Sequence, residues 1–369
     1  MGLISLKEQK TRRNGDALVK QLKSFELDLK FSAGVWFFSP GGGRFHDRYV
    51  KPMSLQEKFD ITAKLQKYGL QALEAHYPNE VNDENVDQYI QFRKDTGIRL
   101  VTVVPLLFFD SQFEFGSLSN PIDASREKAK RTLIANLKFI GALGGGRHVG
   151  VWPGIDGYTV PLGHHYFEMW DRFESAVAEA MDEAPGVRVA IEPKPYEPAP
   201  NNIYRTTADG LIACNDIEAR LKHATNRALV AEGHALVGMQ PEIGHVRMGF
   251  EDLAYAYLRV ARQGRLAHTH WNSQPLGNYD QDLNVGVVAW EQTEALLYAL
   301  KMIGYTGHFG IDINPERMPM QKAIEINWRA LSAMNNRINA LPHERILACY
   351  FEPDQHRGEL ELILAEARR

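Results

Sequence analysis

Residues 188–195 read RVAIEPKP, a short β-branched and apolar run that ends in a carboxylate and an amine. The run predicts a buried strand over residues 188–192. Glu192 and Lys194 follow on alternate positions, so their side chains should point the same way. Such a pair on its own could be a structural salt bridge. The ends of the other predicted strands bear on that choice.

The same alternation of short apolar runs and longer amphipathic stretches continues along the chain. Strands are predicted over residues 30–38, 71–75, 99–104, 148–152, 188–192, 236–239, 266–270 and 308–313. Helices are predicted over residues 53–68, 86–96, 125–143, 166–182, 207–221, 251–263 and 288–303. Eight strands that alternate with helices close most simply into a (β/α)8 TIM barrel, although a doubly wound open sheet has similar local periodicity.

The chain divides by this pattern into two parts. We assign residues 1–318 to the barrel with an N-terminal extension and residues 319–369 to a C-terminal helical tail. Residues 320–341 predict one long helix, and Pro342 then begins a segment rich in Glu, Leu and Arg. A tail of this kind packs either on another subunit or on its own barrel, and the sequence leaves both open.

Composition and charge indicate a globular protein and argue against nucleic-acid-binding, secreted and membrane-spanning classes. The 369 residues are 44% hydrophobic and carry a net charge of -4, which suits a globular enzyme and provides no basic surface for nucleic acid or membranes. Cys214 and Cys349 form no paired-thiol motif, and residues 1–16 lack the apolar stretch of a secretory signal. No apolar run reaches the roughly 18 residues of a membrane span. We therefore expect a cytoplasmic protein with neither nucleic-acid nor membrane partners.

Polar side chains recur where the later strands end, which in a barrel is the face that carries active sites. The sixth strand is followed by QPEIGH (240–245), the seventh by HTHWN (268–272) and YDQDL (279–283), and the eighth by IDINP (311–315). Each alone has a structural explanation, such as a helix cap or a solvated turn. Together they supply five carboxylates and two imidazoles, from Glu192, Glu242, His245, His270, Asp280, Asp282 and Asp312.

Five carboxylates at one barrel mouth would repel each other unless cations compensated them. Two divalent ions together with Lys194 would neutralise the five, and the histidines would bind as neutral imidazoles. Oxygen ligands favour Mg²⁺ or Mn²⁺, while two imidazoles shift the preference towards Mn²⁺ or Co²⁺. We expect two divalent ions and rank Mn²⁺ first, before Mg²⁺ and Co²⁺.

Three of these segments, in this order, resemble motifs of the xylose isomerase family. They are EPKPYEP (192–198), PEIGH (241–245) and YDQDL (279–283), and the resemblance extends over about residues 31–314. It implies one ion held by Glu192, Glu242, His270 and Asp312, and a second held by Glu242, His245, Asp280 and Asp282. Glu242 would then bridge the two ions.

The resemblance also implies roles around the sugar. His76 would assist opening of the cyclic sugar, Lys194 would hydrogen-bond the substrate carbonyl oxygen, and Asp282 would join them as a catalytic residue. Trp152 would wall the sugar and exclude water, although ordinary core packing is its alternative role. Asn272 is a further candidate for contact with the sugar.

Four positions depart from the family pattern, and one loop matches a further feature of it. Asn79 stands where the family has the aspartate partner of the histidine, Gln240 replaces an asparagine, and Asn314 replaces a lysine. His270 replaces an aspartate, a feature shared with rhamnose isomerases. In the loop after the first strand, Phe45 is the candidate aromatic side chain that would enter a neighbouring subunit's pocket.

The resemblance implies a ketol-isomerase that interconverts a free aldose, such as xylose, glucose or rhamnose, with its ketose by a metal-assisted hydride shift between C1 and C2. It also implies a homo-oligomer, a tetramer or a dimer. The alternative within the same superfamily is a ketose epimerase that uses carboxylates around one metal. A metal-dependent endonuclease would need a basic groove, and a non-catalytic sugar-binding barrel would not need so many ligand residues.

Overall fold

The structure is a computed structural model that describes residues 5–6, 15–39, 49–143, 148–163 and 165–367. Its eight main strands are β1 (Phe31–Gly34), β2 (Leu70–Tyr77), β3 (Arg99–Pro105), β4 (His148–Val151), β5 (Val189–Ile191), β6 (Val237–Met239), β7 (His270–Trp271) and β8 (Phe309–Ile311). Short antiparallel strands at Gly157–Tyr158 and Asn201–Asn202 form a separate pair beside them.

The eight strands form one parallel sheet in the order β6-β5-β4-β3-β2-β1-β8-β7. Two parallel bridges, Met239 with Leu266 and Glu242 with His270, bring the two ends of this order together. The sheet therefore curls as in a TIM barrel, and its strand ends meet at one mouth.

Helices surround the sheet, as expected when both faces of parallel strands need cover. They are α1 (Gly15–Ser24), α2 (Leu55–Lys64), α3 (Val86–Thr96), α4 (Asp123–Ala142), α5 (Tyr166–Asp182), α6 (Thr207–Arg220), α7 (Ala224–Ala231), α8 (Ile243–Met248), α9 (Leu253–Arg262), α10 (Trp290–Ile303), α11 (Met320–Ala340), α12 (His343–Phe351) and α13 (Glu359–Ala367). Short 3₁₀ turns cover Val35–Phe38, Gln66–Tyr68 and Ser111–Phe113.

Local sequence explains where several helices begin and end. Ser54 caps α2 in a reciprocal capping box with Glu57, because its hydroxyl satisfies an amide that the helix leaves unpaired. The C-terminal ends of α3 and α10 are followed by Gly97 and Gly304, which have left-handed φ values of 79° and 70°. Glycine adopts such values with the least strain.

The first and seventh predicted strands differ most from the structure. Residues 35–38 are a 3₁₀ turn, because the pairing of β1 with β8 ends at Ala33 and its pairing with β2 ends at Gly34. The seventh strand is regular only at His270–Trp271. Before it, the amides of Ala267 and His268 both donate to the same carbonyl, that of Met239, so the ladder is irregular there.

The C-terminal helices continue the same architecture. Met320, Ile324, Leu331 and Ile338 of α11 are buried in the hydrophobic core shared with the strands. The last two helices, α12 and α13, contain the buried residues Leu347 and Ile363. Within the described ranges, every helix is too short or too polar to cross a membrane.

Candidate metal and sugar site

A cavity of about 460 Å³ opens where the strands end. It is lined by Trp36, His76, Val104, Phe108, Phe109, Trp152, Ile155, Glu192, Lys194, Pro198, Glu242, His245, His270, Asp280, Asp282 and Asp312. These include every site residue that the sequence predicted except Asn272, which lies just behind the wall, and Phe45, which lies outside the described residues. The fold thus gathers residues that are far apart in the sequence into one volume.

The first group of metal-ligand atoms belongs to Glu192, Glu242, His270 and Asp312. Their ligand atoms all lie within 4.8 Å of one another, and all but Asp312 are buried. Glu192 follows β5, Glu242 follows β6, His270 opens β7 and Asp312 follows β8. Because parallel strands end at the same edge, four separate strands deliver these side chains to one point.

The second group belongs to Glu242, His245 and Asp280. His245 Nε2 lies 3.4 Å from Glu242 Oε1 and 3.2 Å from Asp280 Oδ2. Glu242 precedes α8, and the helix places His245 one turn later beside it. At Gly244 a Cβ atom would come within 2.7 Å of Glu242 Oε1, so glycine is needed for this carboxylate to sit where it does. Glu242 belongs to both groups.

Several ligand atoms of the two groups are placed where they could share a cation but do not hydrogen-bond with one another. His270 Nδ1 lies 3.2 Å from an oxygen of Glu192 and 3.2 Å from one of Asp312, yet it makes no hydrogen bond with either. His245 Nδ1 and Asp280 Oδ1 are likewise buried without a hydrogen-bond partner. Buried polar atoms without partners are costly, and a shared cation would satisfy them together.

The ionisation of the carboxyl groups points the same way. Burial opposes the charge of Glu192, but His270 and His245 outweigh it and lower its pKa to about 2. Burial raises the pKa of Glu242 well above its ordinary value, and Asp280 and Asp282 raise it further. Without cations, some of these carboxyl groups ionise only at the expense of others. The folded cluster therefore lacks positive charge.

Lys194 lies on the side of the second group. Its buried Nζ donates to Asp280 Oδ2 over 2.8 Å and lies 5.2 Å from the centre of the Trp152 ring. Burial opposes its charge, but Asp280 more than compensates and raises the lysine pKa. The backbone N–H of Asp280 donates a hydrogen bond to Glu197 Oε2, which fixes the loop that carries this aspartate. The lysine is held as a cation at the edge of the cavity.

Asp282 lines the same cavity but is not one of the three residues of the second group. Its backbone has a φ of 45°, a strained value for a residue with a side chain. The buried amide of Asn272 donates to Asp282 Oδ1 over 3.0 Å and to Glu242 Oε1 over 2.8 Å. Asn272 thus holds two carboxylates, and its contact with a sugar stays a prediction.

His76 stands on the opposite, aromatic wall. Its ring is 4.5 Å from that of Trp36 and 5.4 Å from that of Phe108. Its Nδ1 lies 2.9 Å from Glu80 Oε2, while Asn79 donates to the other oxygen of Glu80. From the sequence, only Asn79 was predicted to stand at the position of this histidine's partner. Glu80, four residues after it, was missed, although a carboxylate just past a strand end is a signal that could have identified it.

Trp152, Phe108 and Trp36 complete this wall. Trp152 and Phe108 pack edge to face with their centres 5.2 Å apart. The indole Nε1 of Trp36 donates to Asp312 Oδ1 over 3.1 Å, which joins the aromatic wall to the first ligand group.

Glu74 and His268 lie below the first group and were not predicted as site residues. Glu74 Oε1 is 2.9 Å from His268 Nε2, and Glu74 Oε2 is 3.1 Å from His270 Nε2. Burial opposes the charge of Glu74, but the two histidines hold its pKa well below the ordinary range. A charged residue within the apolar run of the second predicted strand was the signal that could have revealed it.

Comparisons with known proteins agree with this architecture. The family model described as "Xylose isomerase-like TIM barrel" matches residues 62–331. The xylose isomerase of Thermus thermophilus is 27% identical over 298 residues, which cover 76% of this chain and 72% of that protein. One similar solved structure is described as a D-tagatose 3-epimerase-like protein, with 18% identity, a TM-score of 0.60, and coverage of 84% of this chain and 100% of that one. Another is the IOLI protein with a bound zinc atom, with 14% identity, a TM-score of 0.59, and coverage of 84% and 99%.

Proposed function

The chain belongs to the xylose isomerase-like TIM barrel family, and from this premise we propose that it is a two-metal ketol-isomerase that interconverts a free aldose with its ketose. One observation carries the proposal. Two groups of ligand atoms meet at Glu242, and Lys194 stands beside the second group. A monosaccharide that resembles xylose, glucose or rhamnose is the proposed substrate.

The proposed first ion is held by Glu192, Glu242, His270 and Asp312. The second is held by Glu242, His245 and Asp280, with Asp282 as the further ligand that the cavity makes available. Carboxylates combined with two imidazoles favour Mn²⁺, with Co²⁺ and Mg²⁺ as alternatives. When bound, the two ions supply Lewis acidity to the sugar oxygens that change between hydroxyl and carbonyl.

The chain's own residues bind and orient the sugar in this proposal. The ammonium of Lys194 donates a hydrogen bond to the carbonyl oxygen, where negative charge develops during the reaction. His76, supported by Glu80, delivers a proton to the ring oxygen as the cyclic sugar opens, while the anomeric hydroxyl releases its proton to solvent and becomes the carbonyl oxygen. A hydride then moves with its electron pair from C2 to C1, while the proton of the C2 hydroxyl passes to the oxygen on C1.

The aromatic wall suits such a hydride shift. Trp36, Phe108 and Trp152 cover the side of the cavity that faces the charged groups. A sugar held between them would be shielded from water, which would otherwise exchange protons with the reacting carbons. This is the role we propose for Trp152.

A ketose epimerase is the second candidate, and one observation favours it. The group of Glu192, Glu242, His270 and Asp312 is complete enough to hold one ion alone, which is the arrangement a one-metal epimerase requires. In that case carboxylates of the site would remove and return a proton at one carbon.

The two candidates are separated by metal content and by isotope. The protein is stripped of metals, reloaded with Mn²⁺, Co²⁺ or Mg²⁺, and incubated in D₂O with a panel of aldoses and ketoses under NMR observation. We expect two ions per chain and an aldose converted to its ketose without deuterium at C1 or C2, because a hydride does not exchange with solvent. One ion, and a ketose epimer that carries deuterium, would establish the epimerase instead. No conversion of any aldose by the loaded protein would refute the isomerase.

We also propose that the protein forms a homodimer or homotetramer. Exposed apolar side chains on the last two helices, among them Tyr350, Leu360 and Leu362, support this, because apolar side chains exposed together often mark contacts between subunits. Light scattering of the purified protein tests the proposal, and a monomer at micromolar concentration would contradict it.

A further inference from the structure

Glu74 lies inside the barrel, directly below the first group of ligand atoms. It projects from the middle of β2 and is 1% exposed. Its carboxylate accepts hydrogen bonds from Ser32 Oγ over 2.6 Å, from His268 Nε2 over 2.9 Å and from His270 Nε2 over 3.1 Å. The proposed reaction gives this buried carboxylate no task.

The contact with His270 fixes which ring nitrogen carries the proton. A neutral imidazole has one N–H and one lone pair, and an ionised carboxylate can only accept. Since Glu74 Oε2 faces Nε2, the proton belongs on Nε2 and the lone pair on Nδ1. Nδ1 is the atom that lies 3.2 Å from oxygens of Glu192 and Asp312. The histidine is thereby held in the tautomer that can bind a cation at the first group.

The packing around Glu74 favours hydrogen bonds over a further ion. Glu74, His268 and His270 have the residue types of a metal site, but each carboxylate oxygen faces a different histidine and one also accepts from Ser32. At Gly310 an added Cβ atom would lie 2.6 Å from His268 Nε2 and 2.8 Å from Glu74 Oε1. The cluster is therefore packed tightly against Gly310 of β8.

We propose that Glu74 is a positioning residue that sets the cation affinity of the first ligand group through the tautomer and orientation of His270. This rests on the proposed function, because it assumes that the group binds a metal. Carboxylates behind metal-binding histidines typically change metal affinity by about 10- to 100-fold. The effect should be confined to the first group, since Glu74 does not contact His245 or Asp280.

The test is a Co²⁺ titration of the metal-stripped protein, followed by calorimetry and by visible absorption, for the wild type and Glu74→Gln. The variant keeps the shape of the side chain but turns an amide towards at least one imidazole N–H. We expect two binding events in the wild type. In Glu74→Gln one event should be weakened about 10- to 100-fold with a changed absorption band, and the other should keep its affinity.

Glu80→Gln is the matched control. Glu80 is also a largely buried carboxylate that faces a histidine, but its partner His76 belongs to neither ligand group. Both Co²⁺ affinities should equal those of the wild type in this variant. Glu74→Asp retains the charge but draws it back from His270, so we expect it to weaken the same event less than Glu74→Gln does. It also serves as the test variant if Glu74→Gln does not fold.

Several results would overturn the inference. Unchanged affinity for both ions in the Glu74 variants would do so, as would equal weakening of both events, which would indicate general damage. A third tightly bound ion in the wild type that is lost in Glu74→Gln would make Glu74 a ligand itself. A wild-type protein that binds no Co²⁺ would refute the proposed function as well, so the two failures are distinguishable.

Discussion

The mouth of the barrel has two unlike halves. The charged half, on β5 to β8 and the loop after β7, consists of Glu192, Lys194, Glu242, His245, His270, Asp280, Asp282 and Asp312. The aromatic half, on β1 to β4 and the segments that follow them, consists of Trp36, His76, Phe108 and Trp152. All the described carboxylates that line the cavity belong to the charged half.

This difference separates two physical tasks. Buried carboxyl groups are stable together only when protons or cations compensate their charge, so the charged half suits the proposed binding of ions. Aromatic rings exclude water and offer a flat apolar surface, so the aromatic half suits the proposed enclosure of a sugar. Substitutions in one half should therefore leave the task of the other half intact.

The largest effect is expected from Glu242→Gln, in the charged half. Glu242 belongs to both ligand groups, so loss of its charge should weaken the binding of both ions and lower kcat/KM by at least about 10³-fold. Metal content after gel filtration and steady-state kinetics measure the two effects. Glu183→Gln, at an exposed surface carboxylate, controls for the loss of one charge and should match the wild type. Wild-type affinity for either ion in Glu242→Gln would show that this residue is not shared.

A smaller effect is expected from His76→Gln, in the aromatic half. Both ions should remain bound, while turnover of a cyclic aldose should fall about 10²-fold because proton transfer to the ring oxygen is lost. Glu80→Gln should lower it only about 10-fold, since the imidazole remains but loses its partner. Steady-state kinetics measure the turnover of both variants, and Co²⁺ titrations measure whether both ions remain bound. Loss of either ion in His76→Gln would mean that the two halves are not independent.

The smallest expected effect is the pH dependence of the stability of the metal-free protein, which depends on the carboxyl groups of the charged half. Burial and nearby carboxylates raise the pKa of Glu242 and of Asp282 in the metal-free protein. Their protonated forms favour the fold, so this contribution is present below the ordinary carboxyl pKa of about 4 and is lost as pH rises through the raised values. Glu192, whose pKa is lowered to about 2, contributes stability that is fully present above the ordinary carboxyl pKa and is lost as pH falls from there to about 2.

Metal removal should therefore cost more stability at pH 8 than at pH 5. We expect the gap in Tm between the Mn²⁺-loaded and the chelated protein to widen by on the order of 5 °C over this range. Calorimetry at pH 5, 6.5 and 8 provides the measurement. A gap that is constant or narrows with pH would show that cations do not relieve repulsion between these carboxyl groups.

Much of this arrangement could be predicted because parallel strands repeat one simple pattern. Apolar runs marked the positions of all eight strands, and helices α3 and α5 begin and end at the predicted residues. The carboxylates after β5, β6 and β8 could be placed together because the ends of such strands converge. Those inferences need only the order of the elements and not their contacts.

What could not be predicted depends on contacts across the barrel. Glu74 meets His268 and His270 from almost 200 positions away in the sequence, and no local pattern reports such a meeting. Glu80 reaches His76 because the chain turns back after β2, whereas the sequence drew attention to its neighbour Asn79. The short helices α7 and α8 were missed because so few residues carry little periodicity. Phe45 lies outside the described residues, and its role stays a prediction.

The two isolated bridges between the β6 and β7 segments suggest that a bound ion would also stabilise the closure of the barrel. Glu242 and His270, which pair across this seam, are also the two residues through which a single cation would tie one strand to the other. Regular ladders hold the remaining strand pairs, whereas here irregularly spaced backbone hydrogen bonds, such as those from Met239 to Arg265 and from His270 to Pro241, connect the two segments. A bound ion would add a further connection across this seam, so metal binding would contribute directly to the stability of the closed barrel.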